Sequence, residues 1–425
     1  MNTAGDRKCV AVIGGGVAGI TAAHLLQQRF DVTLFERNEY VGGHTRTWVL
    51  DKGPDAGTPV DTGFIVFNSR TYPNFIRLLG RLGVAYQPSE MSFSCTNEAS
   101  GLAYAGTGIS GLFARPLSAL SPAYWAFFLG ILRFSRRTRK LMQEGRLEGL
   151  TLGEFCERER LSKRVVEDYV LPMAAAIWST PFSGIRDFPM ASIARFYENH
   201  GLLTLTDRPA WFTVTGGSSS YVKRFLETFS GDVCAARPVR RVTRGQEGVR
   251  LDFADGGPLL FDEVVIAAHA DEALALLSDP SAEERSLLSA WGYSRNRVLL
   301  HTDERLMPPV RRAWASWNYL RLAGADELSP ACLTYYMNRL QNIQGHAPYL
   351  VTLNPLRDVR PEARIAEFAY DHPVYDTAAV ATQRRLPELN GQRHTSYCGS
   401  YFNNGFHEDA VTSAVNAAGR FGCSL

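Results

Sequence analysis

An α/β fold with a Rossmann-type domain is predicted by three features of this 425-residue sequence. The first is a continuous apolar run, Cys9-Val-Ala-Val-Ile13, that feeds straight into Gly14-Gly15-Gly16-Val17-Ala18-Gly19. The second is the helical pattern and second apolar run that follow, ending on an acid at Glu36. The third is the mixture of helical stretches such as Tyr72 to Leu82 with strand-like ones such as Cys332 to Asn338 elsewhere in the chain, which predicts an additional α+β lobe.

Cys9–Ile13 reads as a strand buried on both faces, because it is apolar, uninterrupted and partly β-branched. A helix is expected from Val17 to about Arg29, with Ala18, Ala22, Leu25 and Leu26 recurring on one face, and a second strand over Asp31 to Phe35. The unit is βαβ. Each of three glycines has a steric role there: Gly14 makes the tight turn, Gly16 lets the backbone approach a pyrophosphate, and Gly19 lets the helix pack on the strand. The free N–H groups at the start of the helix, around Val17 and Ala18, then face phosphate with partial positive charge. Glu36, 22 positions after Gly14, is placed to accept hydrogen bonds from ribose hydroxyls.

That much suits NAD or FAD equally. A second glycine pair, Gly42-Gly43, allows another close backbone approach to a diphosphate, with Arg46 and His44 able to balance its charge. Simple nicotinamide dehydrogenases have no need of it, so FAD is the expected cofactor and its contacts extend over Arg37, Gly42, Gly43, His44 and Thr45.

These residues resemble the flavin-containing amine oxidase superfamily, which also holds protoporphyrinogen oxidase, phytoene-type desaturases and some fatty-acid isomerases. The family's Gly-Gly-Arg-x-x-Thr segment is matched by Gly42, Gly43 and Thr47, with His44 where arginine is usual. Pro59-Val60-Asp61-Thr62-Gly63-Phe64 is similar to the segment that reaches the flavin ring, and Val239 matches the position whose backbone meets the adenine. Tyr397 to Ala410, with Gly399, Gly405, Phe406, His407, Glu408 and Ala410, resembles the turn before a last helix, here running to about Phe421. That helix N-terminus would stabilise negative charge on the reduced ring. The chain more narrowly resembles bacterial predicted NAD/FAD-binding proteins found near cyclopropane-fatty-acyl synthase-like enzymes, through Leu300-His301-Thr-Asp303, Thr334 to Gln341, His372-Pro373 and Gly405 to Asp409.

The resemblance implies a discontinuous FAD domain over residues 1–70, 211–290 and 390–425, interleaved with a substrate domain over 71–210 and 291–389. It implies an FAD-dependent oxidoreductase, a dehydrogenase or desaturase of an apolar fatty-acyl or lipid substrate, working by hydride transfer to flavin N5. Oxygen or an electron carrier would reoxidise the ring. Non-covalent FAD is expected, because Cys398 falls in the wrong place for the family's covalent link. Amine oxidases of the family commonly hold a lysine by flavin N5, yet no lysine follows Lys223, and Asn296 or Arg297 falls near that position. Two alternatives stay open: an amine or small-metabolite oxidase, and an acyl double-bond isomerase or FAD-binding partner protein without net redox turnover.

Thr334 to Gln341 reads as a strand, which puts Tyr336 and Asn338 on one face and Tyr335 and Met337 on the other. One of the two pairs is expected to line the cavity, and Tyr336 and Asn338, with His407 from the flavin-facing turn, are the catalytic candidates. No grouping of His, Cys and carboxylates has ligand spacing, so no metal is expected.

With 45 basic and 43 acidic residues the formal net charge is +2, and no overall field favours nucleic acid. The seven cysteines are scattered without a C-x-x-C pair, and no export signal is read at the N-terminus, so a cytoplasmic protein is expected. Pro116 to Phe134 is apolar but short of the roughly 20 residues a spanning helix needs. Two readings fit it: a buried helix with a solvated basic end, or an interfacial helix that makes residues 116–140 a peripheral contact with the inner membrane face.

Overall fold

The strand Cys9–Ile13 lies at the centre of a five-stranded, wholly parallel sheet, in a computed structural model that describes residues 7–204, 206 and 208–425. Asp31–Phe35 and Glu263–Ile266 flank it, and Asp232–Cys234 and Thr395–Tyr397 form the edges. The strands thus come from three separate stretches of chain. Both sheet faces are covered, which is why the central strand has no polar alternation.

The helix Val17–Leu26 is buried at every residue but His24 and packs on the C-terminal helix His407–Gly419. It ends at Leu26, earlier than the sequence pattern suggested, because Arg29 and Phe30 both hydrogen-bond back to Leu26 O as the chain turns into the second strand. A three-stranded antiparallel sheet, Val239–Arg244, Val249–Phe253 and Leu259–Phe261, lies beside the parallel one. Buried Arg244 ties it to the rest, bonded to Glu284, whose carboxylate also accepts from Tyr397 Oη at 2.6 Å.

The other large sheet has seven strands in the order Arg364–Pro373, Tyr293–His301, Leu350–Leu353, Cys332–Tyr336, Trp317–Arg321, Phe93–Asn97 and Leu102–Ala105. Its neighbours are antiparallel except Trp317–Arg321 with Phe93–Asn97. Helices between Pro122 and Asn199 complete this lobe. The two lobes are joined by an amide–carboxylate clasp: Gln341 Nε2 donates to Asp61 Oδ2 at 3.0 Å and Gln341 Oε1 accepts from Asp61 N at 2.8 Å.

Two expectations are corrected here. The strand read over Thr334 to Gln341 stops at Tyr336, and Met337–Leu340 forms one helical turn. Met337 N still bonds to Tyr349 O, and the turn then swings Gln341 onto Asp61. Pro116 to Phe134 is not one helix: Pro116–Leu120 is a 3-10 turn, and Pro122–Gln143 is a separate helix of 22 residues. Among the described residues, no helix is long and apolar enough to cross a membrane.

Candidate active site

A cavity of about 1100 Å³ runs from the glycine loop, past the turn before the C-terminal helix, into the face of the seven-stranded sheet. At the glycine end its wall is backbone. Gly14, Gly16, Val17 and Ala18 line it, and no side chain caps the N-terminus of Val17–Leu26 and its first turn holds no acid, so the early N–H groups there lack a side-chain partner. Gly14 has φ +106°, and a Cβ on it would stand 2.5 Å from Ala267 O. A Cβ on Gly19 would stand 1.8 Å from Gly14 O, so Gly19 acts behind the wall as a packing residue and does not itself line the cavity.

Glu36 sits at the end of its strand with the carboxylate holding the loop: Oε2 accepts from Gly15 N at 2.7 Å, and Oε1 from Asn38 N and Nδ2, each at 2.8 Å. A carboxylate has about four acceptor sites, so capacity remains toward the cavity. Arg37, which lines the cavity, pairs with Glu272. Gly42, Gly43, Gly63, Phe64, Val239 and Gly399 also line it.

His44 lines the middle of the cavity among the rings of Tyr370, His372 and His269, at centroid distances of 5.1, 5.5 and 6.2 Å. Its Nε2 is buried with no hydrogen-bond partner among the described residues. Burial, reinforced by His269, lowers its pKa to about 4, so the ring is neutral at pH 7.

The turn before the last helix supplies Gly405, Phe406, His407 and Ala410 to the wall. Gly405 has φ +91°, and a Cβ there would strike the Tyr375 ring at 2.7–3.2 Å. Asp409 Oδ2 accepts from Phe406 N at 2.9 Å and fixes the turn. The His407 ring lies flat on Phe64 at 3.7 Å, and its Nε2 is 2.9 Å from Tyr221 Oη, which in turn bonds Thr45 Oγ1. Burial, then His44, holds the His407 pKa well below the usual histidine value.

Beyond that turn the wall becomes side chain. Met91, Phe93, Tyr104, Tyr169, Met173, Ile177, Leu202, Trp317 and Tyr335 line this chamber. A π-helical turn over Val166–Val170 carries Tyr169. Pro172 cannot give Asp168 O the N–H an α-helix would supply, and the Tyr104 hydroxyl donates to that oxygen at 2.9 Å. The cavity's only carboxylates among the described residues, Glu36, Glu272 and Asp371, belong to the neighbourhood of Arg37 and His44. No lysine lines it.

Several sequence-predicted residues have other work. Tyr336 faces away from the cavity and packs edge-on against Trp314, while Tyr335, on the opposite strand face, lines the chamber against Trp317 at 5.1 Å. Asn338 braces a loop, donating to Ala347 O at 3.0 Å and accepting from Tyr349 N at 2.7 Å. The Glu408 carboxylate accepts from Asn74 N and Phe75 N at 2.9 and 2.8 Å, capping the helix Pro73–Leu82. Thr45 is buried behind the wall on Tyr221. The chamber residues were not read from sequence. Only the apolar character of their separate segments hinted at them, and no spacing joins residues 91–106, 169–178 and 317–335.

A family model described as flavin containing amine oxidoreductase matches residues 17–371. A carotenoid phi-ring synthase of Streptomyces griseus is 28% identical over 288 residues, covering 62% of this chain and 52% of that protein, so the match spans about half the relative's length. The fold is also that of a CLA-producing fatty acid isomerase from P. acnes, with 16% identity, TM-score 0.65 and coverage of 98% of this chain and 99% of that one. Wild-type putrescine oxidase bound to putrescine aligns with TM-score 0.71 at 14% identity, covering 97% and 98%.

Proposed function

Because the chain belongs to the flavin containing amine oxidoreductase family, we propose that it binds FAD non-covalently and dehydrogenates an apolar fatty-acyl or lipid substrate. Three observations support the fit of an FAD: the backbone-walled cradle at Gly14 to Ala18, the acceptor capacity left on Glu36, and the orphaned Nε2 of His44. The non-covalent reading is supported by Cys398, already in the wrong place for the family's covalent link, being buried and absent from the cavity lining. When bound, the flavin supplies an electron sink that accepts hydride at N5.

The chain's own residues supply the surroundings. Neutral His44 and His407 add no positive charge to the middle of the cavity, Phe64 and Phe406 present rings there, and the mainly apolar chamber beyond suits an apolar chain. The observation that carries the substrate class is the chamber lining, mainly apolar and aromatic with Arg208 beside Tyr169 and, among the described residues, no carboxylate to receive an ammonium group. Amine oxidation is the second reading, favoured by the putrescine oxidase likeness and by the Trp317–Tyr335 ring pair, whose faces could hold a cation.

Mass spectrometry of acyl lipids incubated with the flavin-loaded protein and an electron acceptor tests the reading. Product lighter by two hydrogens is expected. A product of unchanged mass, formed without acceptor, would replace dehydrogenation with isomerisation, and turnover of amines alone would replace the lipid substrate.

A further inference from the structure

Residues 99–143 contain no aspartate or glutamate, although the chain has 43 of them, and they hold Arg115, Arg133, Arg136, Arg137, Arg139 and Lys140. The same stretch carries five of the eleven large apolar side chains left in solvent among the described residues. Ile109 is 79% exposed, Leu117 81%, Leu120 80%, Leu129 63% and Trp125 50%.

These side chains are gathered by the fold. The Trp125 indole donates to Ala119 O at 2.8 Å, which clips the 3-10 turn Pro116–Leu120 onto the start of the helix Pro122–Gln143. Leu117, Leu120 and Trp125 are thereby presented at one tip. Along the helix, Trp125, Leu129, Arg136 and Lys140 share one outward stripe, while Tyr124, Phe127, Phe134 and Leu141 are buried on the other side. The exposed stripe is apolar at the tip and basic behind it. Arg137, Arg139 and Lys140 are paired with Glu159, Glu198 and Glu144 at 2.6, 3.1 and 3.8 Å, but among the described residues Arg115 and Arg136 have no acidic partner.

The tip also adjoins the chamber. Tyr104, part of the chamber wall, packs against Phe127 and Phe128 at 5.5 and 6.2 Å, and Gly106, three residues before Ile109, lines the cavity while exposed at the surface.

We propose that this tip docks the protein on an anionic lipid bilayer, with Leu117, Leu120, Trp125 and Leu129 in the acyl boundary and Arg115 and Arg136 at the headgroups. An exposed apolar patch bordered by Arg115 and Arg136, neither with an acidic partner among the described residues, is complementary to that surface and to few others. Trp125 suits the headgroup level, where an amphipathic ring is favoured. The proposal takes its purpose from the acyl-lipid reading, since docking would open the chamber mouth beside Gly106 onto the source of the chain.

Flotation of the flavin-loaded full-length protein tests docking without any turnover. The vesicles are mixed phosphatidylglycerol and phosphatidylcholine, compared with phosphatidylcholine alone. The wild type is expected to float with the anionic vesicles and to bind less as salt rises. Leu120→Glu with Leu129→Glu is expected to cut the bound fraction at least tenfold, and Arg115→Glu with Arg136→Glu to abolish the preference for anionic vesicles. All four sites are exposed, and an unchanged flavin spectrum and thermal midpoint will identify folded variants. A wild type that stays at the bottom of the gradient, or variants that float as it does, would overturn the proposal. So would a dimer in solution that Leu120→Glu splits, because the patch would then belong to a second copy. Protein that floats but never oxidises an acyl lipid would uphold docking and remove the substrate reading.

Discussion

At the glycine end the cavity is walled by backbone, and at the chamber end by side chains. Gly14 and Gly19 tolerate no added atom, because a Cβ on either would run into a backbone carbonyl, Ala267 O or Gly14 O, whereas a Cβ on Gly16 would meet no protein atom within 4 Å. The chamber is built mainly from apolar side chains on a π-helical turn, the helix Leu171–Trp178 that follows it and four strands, and such surfaces accept volume-conserving exchange at small cost. A wall of backbone recognises the invariant part of a ligand, a diphosphate, whereas a wall of side chains can be retuned to the variable part. The comparison therefore assigns cofactor retention to one end and substrate choice to the other.

Gly19→Val is the harshest way to break that division, because even its Cβ would overlap Gly14 O. A loss of about 3 kcal/mol or more in stability is expected, with no flavin in the purified protein. Thermal unfolding and the absorbance spectrum check it, and a stable yellow variant would contradict the cradle.

Behind the cradle, Glu284→Ala leaves buried Arg244 without its main partner and is expected to cost about 3–5 kcal/mol. Burial opposes ionisation of Glu284, but hydrogen bonds from Arg244 and Tyr397 outweigh it and bring its pKa down to about 2. The folded carboxyl is thus depressed below its unfolded value, so its stabilisation is full above the ordinary glutamate range and fades as pH falls toward about 2. Denaturant melts between neutral and acid pH should show that fall in the wild type and a flatter profile in Glu284→Ala.

Chamber substitutions should separate substrate from cofactor. Tyr335→Ala removes a ring from the wall and is expected to raise KM about tenfold, with flavin content unchanged. Tyr336→Phe, one residue along and on the other face, should leave KM where it is. Equal effects from the two would erase the strand parity on which the chamber rests.

The smallest effect belongs to the middle of the cavity. His44→Ala removes a ring nitrogen that has no partner among the described residues, and flavin affinity measured by fluorescence titration should fall about two- to tenfold, the worth of one hydrogen bond. An unchanged affinity would mean that Nε2 does not meet the cofactor.

The cradle was legible in the sequence because its geometry is local. Cys9–Ile13 and Asp31–Phe35 keep the boundaries their patterns announce, and the glycine spacing expresses steric limits within one turn. The seven-stranded sheet was not legible in that way. Strand parity separates Tyr335 from Tyr336, but which face meets the chamber is set by the sheet, in which Trp317 pairs with Tyr335 on one side and, far away in the chain, with Phe93 on the other. Glu408 was misassigned for a similar reason. Its position at a helix N-terminus suggested the cofactor, but the amides of Asn74 and Phe75, more than 300 residues away, claim its carboxylate. Acidic residues at helix starts serve whichever unpaired N–H groups tertiary packing brings to them.

The most direct test of the division is an anaerobic absorbance titration of the wild type and of Met173→Glu with an acyl phospholipid. The wild type should bleach as its flavin is reduced, and Met173→Glu, with a carboxylate set into the chamber wall, should keep a full complement of flavin that the lipid does not bleach. A variant that bleaches as readily as the wild type, or one purified without flavin, would contradict the assignment of the two ends.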